Sequence, residues 1–157
     1  MRRLILSLIT ILFIVNTLYA KGTNKSTTKY FRELAKRDYV TLADACLALC
    51  LLLDGPKEKD FEFQLEFLKK KKILFKETPT DPKIRLAKGT VAVMLCKALK
   101  IKGGIMLRLF PDNQKYALKE LVYLKLIGDD SINEWISGKE LIGWLDKATE
   151  YRKEHYK

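Results

Sequence analysis

Apolar residues along this chain recur mostly at three- and four-residue intervals, and nowhere is the period-two alternation of a half-buried strand sustained. The pattern predicts a short helix over 30–37. A stronger one starts at Thr41, where Thr41 and Asp44 have capping-box spacing. Ala43 to Leu53 is almost wholly apolar, so this helix should be buried on most sides, with Asp54-Gly55-Pro56 ending it and Gly55 as its C-cap. Phe61 to Leu74 reads as the next helix, with Phe61, Leu65 and Leu68 in register, and closes on Lys69-Lys70-Lys71-Lys72. Four successive residues turn about 400° around a helix, so these lysines cannot form one stripe; as a last turn they suit the helix dipole. After two prolines at 79 and 82, Leu86 to Leu99 is a third helix with Val91, Met94, Leu95 and Ala98 on one side. Gly103-Gly104 breaks it, and Ile105 to Phe110 is a greasy connector of about one turn. Pro111-Asp112-Asn113 supplies a turn and N-cap for Gln114 to Ile127, closed by Gly128. Ser137 and Glu140 form a second capping box for a helix from Gly138 to about Arg152. A strand could be no more than a short one near Ile84 or Ile105. The fold class expected is all-α, a small orthogonal helical bundle of about five helices.

The first 29 residues follow different rules. Met1-Arg2-Arg3 precedes an apolar run from Leu4 to Val15, the two leading regions of a secretory signal peptide. The run is shorter than the roughly 20 residues that span a bilayer. Leu18-Tyr19-Ala20 is the expected cleavage site, with a small residue at Ala20 but a large one at Leu18; an uncleaved N-terminal anchor is the other reading of that flaw. Residues 21–29 are polar and aperiodic and read as a flexible leader. The expected organisation is a signal peptide over 1–20, this leader, and a single helical domain over 30–157. The expected address is the periplasm or cell envelope, with no membrane span after cleavage.

Three helices begin alike: Val40-Thr41-Leu42-Ala43-Asp44, Leu86-Ala87-Lys88-Gly89-Thr90 and Ile136-Ser137-Gly138-Lys139-Glu140. Each is an apolar residue, a small residue, two variable positions and a polar residue. The starts recur at a period of roughly 50 residues, the signature of stacked helix pairs that bury each other's apolar faces. Two shorter helices end alike, at Leu68 to Leu74 and Leu121 to Gly128. Chance likeness among amphipathic helices is the competing explanation. These residues resemble the S-layer homology module, whose repeat is a short helix with a leucine-rich end and glycine turn, a loop, and a longer helix opening Ile-Thr-Arg-Ala-Glu. Tyr116 to Thr149 resembles one unit, Phe61 to Leu99 a weaker copy, and Val40 to Leu53 half a unit. The resemblance implies SLH-like helix-pair repeats and non-covalent attachment to a cell-wall polysaccharide in a groove between them. It also implies an anionic glycan contact by the arginine of the helix-start motif. Leu42, Lys88 and Gly138 stand at that position, and only Lys88 is cationic. The loop at Asp129–Glu134 lacks the family's Asp-Gly and Pro pattern.

The charge is +11, a strong bias toward anionic partners: wall polymers, lipid headgroups, nucleic acid or an acidic protein face. Export disfavours nucleic acid. Scattered lysines also serve solubility alone. A glycan binder would use Arg85, Lys88, Trp135 and Lys139. Trp135 and Trp144 are otherwise core residues, the reading favoured for Trp144. The alternative is a protein-interaction subunit of a periplasmic assembly, an envelope machine or periplasmic flagellum, with Ile105, Met106, Leu107, Leu109 and Phe110 as its contact. Cys46, Cys50 and Cys96 sit among Ala and Leu and read as small buried side chains, though a Cys50–Cys96 disulfide would suit an oxidising compartment. No nucleophile elbow or phosphate loop is present. The one histidine, His155, lies near the C-terminus, which disfavours metal binding and Ser–His or Cys–His chemistry. Asp129-Asp130 reads as a solvated turn. The expectation is a non-enzymatic protein with no metal and no cofactor.

Overall fold

The computed structural model describes residues 27–56, 60–74, 78–129 and 131–156. The expected signal peptide and most of the leader lie outside these residues. The chain divides into two compact units, Met1–Leu34 and Ala35–Lys157. In the first, residues 27–34 form helix α1, which starts three residues before the expected domain boundary. Lys29 and Glu33 pair one turn apart on it.

The second unit holds α2 (Leu42–Leu52), α3 (Phe61–Lys70), α4 (Lys88–Ala98), α5 (Ile105–Leu109), α6 (Gln114–Tyr123) and α7 (Gly138–His155). Among the described residues there are seven helices and no strand, so the fold is all-α. Two of the seven are short: α1, expected over 30–37, and α5, the greasy connector. α2 and α4 form the centre: every residue of both is buried or half-buried, which explains why their apolar residues run all round. α6 packs mainly on α4, α3 and α7 on α2, and α5 on α6. α7 is amphipathic, burying Leu141, Trp144, Leu145 and Ala148 at three- and four-residue spacing. Trp144 is thus a core residue, the reading favoured for it from the sequence.

The three similar helix starts are joined by backbone hydrogen bonds. Val40 N–H donates to the Ile136 carbonyl (2.9 Å), Ile136 N–H to that of Leu86 (3.2 Å), and Leu86 N–H to that of Val40 (3.0 Å). The three bonds close a circle, and all three side chains are buried. A second tier surrounds it. The first helical amides, Leu42, Lys88 and Gly138, donate to the carbonyls of Ile84 (2.8 Å), Glu134 (2.8 Å) and Arg37 (3.0 Å). An α-helix leaves its first N–H groups without internal acceptors. Here each long helix finds an acceptor in the extended segment leading to another. Among the described residues the bridges are isolated ones, Thr41 with Arg85 and Ala87 with Trp135. Ile84 therefore lies beside such a bridge, and Ile105 is helical.

Gly89 is required by close approach. Its N–H donates to the Ile132 carbonyl, and a Cβ would come within 2.7 Å of Gln114 Oε1.

Helix ends depart from expectation. α2, α3, α4 and α6 all end in the six-to-one, five-to-two hydrogen-bond pattern of the Schellman motif. The left-handed residue in them is Asp54 (φ 53°), Lys72 (φ 58°), Lys100 (φ 49°) or Lys125 (φ 57°), never glycine. Gly55 is therefore not the left-handed C-cap of α2. α3 stops at Lys70, with Lys72 outside it, and α6 stops at Tyr123, well before Gly128. The following residues Ile73, Ile101 and Leu126 are apolar; burying Ile73 and Leu126 draws the chain into the turn.

Two outcomes follow. Lys125→Gly should raise stability by about 1 kcal/mol in urea titration, because glycine removes the left-handed penalty at an exposed position. In amide hydrogen exchange, Val40, Leu86 and Ile136 should fall in the slowest class, opening only with global unfolding.

Candidate functional site

The circle of helix starts also organises the polar groups the sequence singled out. Both capping boxes are present, with Thr41 and Asp44 exchanging bonds at α2, and Ser137 and Glu140 at α7. Each carboxylate also takes a cation. Arg37 Nη1 lies 2.7 Å from both oxygens of the buried Asp44. Lys88 Nζ lies 2.7 Å from Glu140 Oε1 and 2.9 Å from Glu134 Oε2. The equivalent position in α4 is Thr90, whose hydroxyl accepts from Gln114 Nε2 at 3.2 Å. The three corresponding helix positions therefore each hold a polar contact between segments.

Lys88 is only 4% exposed. Burying an ammonium this deeply is tolerated because two carboxylates meet it. It is thus committed inside the protein, whereas a glycan contact would need it at the surface. For Glu140, burial alone would raise the carboxyl. The Lys88 and Ser137 hydrogen bonds, together with the Lys88 charge, outweigh burial and hold it below its ordinary value of 4.5.

The other three candidate binding residues are exposed. Arg85 and Trp135 each immediately precede a residue of the circle, as does Tyr39. Pleating turns the circle residue inward and its predecessor outward. The Arg85 guanidinium sits 3.9 Å from the centroid of the Tyr39 ring, in cation–π contact. Trp135 is 54% exposed, and Lys139 lies on the exposed face of α7's first turn. Tyr39 is a residue the sequence reading missed; its place one before Val40, matching Arg85 and Trp135, was the available signal. A groove of about 250 Å³ opens nearby, walled by Leu42, Ile84, Leu86 and Met94 with the polar edges of Thr90 and Gln114. Thr78 also lines it, and its hydroxyl is buried without a hydrogen-bond partner.

The remaining candidates divide. Ile105, Met106, Leu109 and Phe110 are exposed, but Leu107 is buried and leaves the proposed contact set, because the helical turn points it inward. The Cys50–Cys96 disulfide is not formed: all three cysteines are free and buried. Cys96 turns its Sγ toward the Ala117 carbonyl of α6 (3.7 Å). Burial pushes the thiols of Cys46 and Cys96 up to about 12 and that of Cys50 to about 11. His155 stacks on Tyr151 with ring centroids 4.0 Å apart. Among the described residues no group of three His, Cys, Asp or Glu side chains is placed to hold a metal. No family model, curated protein or solved structure matches this chain.

Glu140→Gln should destabilise by roughly 1–3 kcal/mol in urea unfolding, since it strips one carboxylate from a buried ammonium. Lys88→Met should cost within about 1 kcal/mol, because its partners are part-exposed and resolvate. Glu140's depressed carboxyl contributes stability that is present above its ordinary value of 4.5 and drains as pH falls through the lower folded value. That acid-side loss should flatten in Glu140→Gln.

Proposed function

We propose that this protein is a non-catalytic module of the cell envelope that holds an anionic wall polymer on the face formed by its three helix-start segments, in the manner of an S-layer-homology-like scaffold. The observation that carries the reading is the backbone circle of Val40, Leu86 and Ile136, which presents Tyr39, Arg85 and Trp135 outward from equivalent positions. Aromatic rings offer flat apolar surface for the faces of sugar rings. The guanidinium and the Lys139 ammonium supply charge for carboxylate or phosphate substituents. The neighbouring groove adds apolar walls, an amide, and a buried hydroxyl in need of a partner.

In this reading Lys88 is a positioning residue. It ties α4 to the Glu134 segment and to α7, keeping Trp135 and Arg85 in register. The basic charge of the chain adds long-range attraction to the polymer. The apolar run after Arg2-Arg3 supports an exported location for such work.

Sedimentation with purified peptidoglycan sacculi tests the proposal. The protein should be retained, and release should follow addition of about 0.5 M salt. The Arg85→Ala/Trp135→Ala variant should bind roughly tenfold more weakly, equivalent to about 1.4 kcal/mol, with an unchanged urea midpoint. Retention of that variant at the parental level, or no retention of the parent, would overturn the assignment.

A further inference from the structure

Among the exposed large apolar side chains of the described residues, Ile105, Met106, Leu109 and Phe110 lie together on and just after α5. At about 100° per residue, Ile105, Met106 and Leu109 fall within one 100° sector. Leu107 points the other way, into the core, and anchors the turn. Ile105 is 75% exposed and Leu109 65%, which describes a projecting ridge rather than a groove. The ridge is held in place from both ends. Gly104 N–H donates to Glu120 Oε2 (3.0 Å), Arg108 Nε to the Gly103 carbonyl (3.1 Å), and the Phe110 ring lies against Tyr116.

Beside the ridge is a hollow of about 460 Å³ lined by Lys97, Lys100, Lys102 and Arg108. Asp112 pairs with Lys97 at 2.5 Å, and the Glu120 carboxylate turns to the Gly104 N–H, leaving three cations against one unpaired acid on this face. Lys100, Lys102 and Arg108 thus set a cationic rim at the base of an apolar projection.

We propose that this face docks on an anionic phospholipid surface. Ile105, Met106, Leu109 and Phe110 enter the boundary between acyl chains and headgroups, and Lys100, Lys102 and Arg108 meet the lipid phosphates. The charge order supports a bilayer over a protein socket. A bilayer is apolar beneath and anionic above, and this face is apolar at its tip and cationic at its base. Exposed apolar side chains on a soluble surface mark an interaction site, and cations around them select its sign. The contact is peripheral: among the described residues no helix is long and apolar enough to cross a membrane. This inference is independent of polymer binding, because it uses none of Tyr39, Arg85, Trp135 or Lys139.

The test is an Ile105→Cys variant of the full chain, labelled with an environment-sensitive fluorophore. The native thiols are buried and their ionisation is suppressed, so the introduced one takes the label. Vesicles of phosphatidylglycerol with phosphatidylcholine should shift the emission to the blue, and phosphatidylcholine alone should not. About 0.5 M salt should reverse the shift. Lys100→Gln with Lys102→Gln should raise the lipid concentration needed by roughly thirtyfold. The label reports on α5 alone, so vesicle attachment through the apolar residues at 4–15 would leave it unmoved. An unmoved label with anionic vesicles overturns the proposal. So does an equal response to neutral vesicles, which would make the ridge a non-selective hydrophobic contact. A blue shift that grows with protein concentration in the absence of lipid would assign the ridge to a second copy of the chain instead.

Discussion

Helix amides that have lost water and have no internal acceptor must find one elsewhere, and this protein meets that demand for three helices together. The amides at the starts of α2, α4 and α7 cannot be satisfied within their own helices. The first of them, Leu42, Lys88 and Gly138, are satisfied by the extended residues Ile84, Glu134 and Arg37 that precede other helices of the set, around a circle of bonds through Val40, Leu86 and Ile136. Each segment is therefore both donor and acceptor, and removing any one leaves two others with buried unpaired groups. The near-wholly buried α2 and α4, the glycine at position 89 and the outward aromatic and cationic residues all take their places from this arrangement.

Much of it was legible in the chain. Periodicity located the helices of the second unit, and capping boxes marked Thr41 and Ser137 as helix starts. The recurrence of Val40, Leu86 and Ile136 marked positions that the fold then links directly. What periodicity could not show was the linkage itself, since backbone hydrogen bonds leave no side-chain signature. Helix ends were misjudged for a related reason. Glycine is the usual left-handed residue, so Gly55 and Gly128 drew the boundary, whereas Asp54 and Lys125 hold those conformations, Lys125 beside the buried Leu126. The disulfide expectation weighed composition and compartment but could not weigh which helix face each thiol occupies.

The candidate site was legible in part. Arg85 and Trp135 were singled out for charge and aromaticity, and the fold sets both outward on adjoining segments. Lys88 was singled out as the cation of the helix-start motif and Arg85 as a cation beside it. A side chain's depth is decided by its place in the helix, though: Lys88 is the first residue of a helix whose neighbours close over it, while Arg85 lies in the segment before. Two carboxylates remote from it in sequence, Glu134 and Glu140, make that burial tolerable, and the pairing could not be read from spacing. Tyr39 was overlooked because a lone tyrosine carries no motif; only its position relative to Val40 gives it meaning.

The circle also bears on how the chain reaches its native state. Val40 donates to Ile136, so residues nearly a hundred positions apart must meet before the first helix start has its acceptor. Contacts so remote in sequence raise contact order and slow folding relative to a bundle of neighbouring hairpins. During synthesis, α2 and α4 emerge with their partners still missing, and the last amide of the set gains its place only with the arrival of α7. Closure of the circle consequently waits until Ile136 has been made, and a product cut short before it is left with an open, greasy middle.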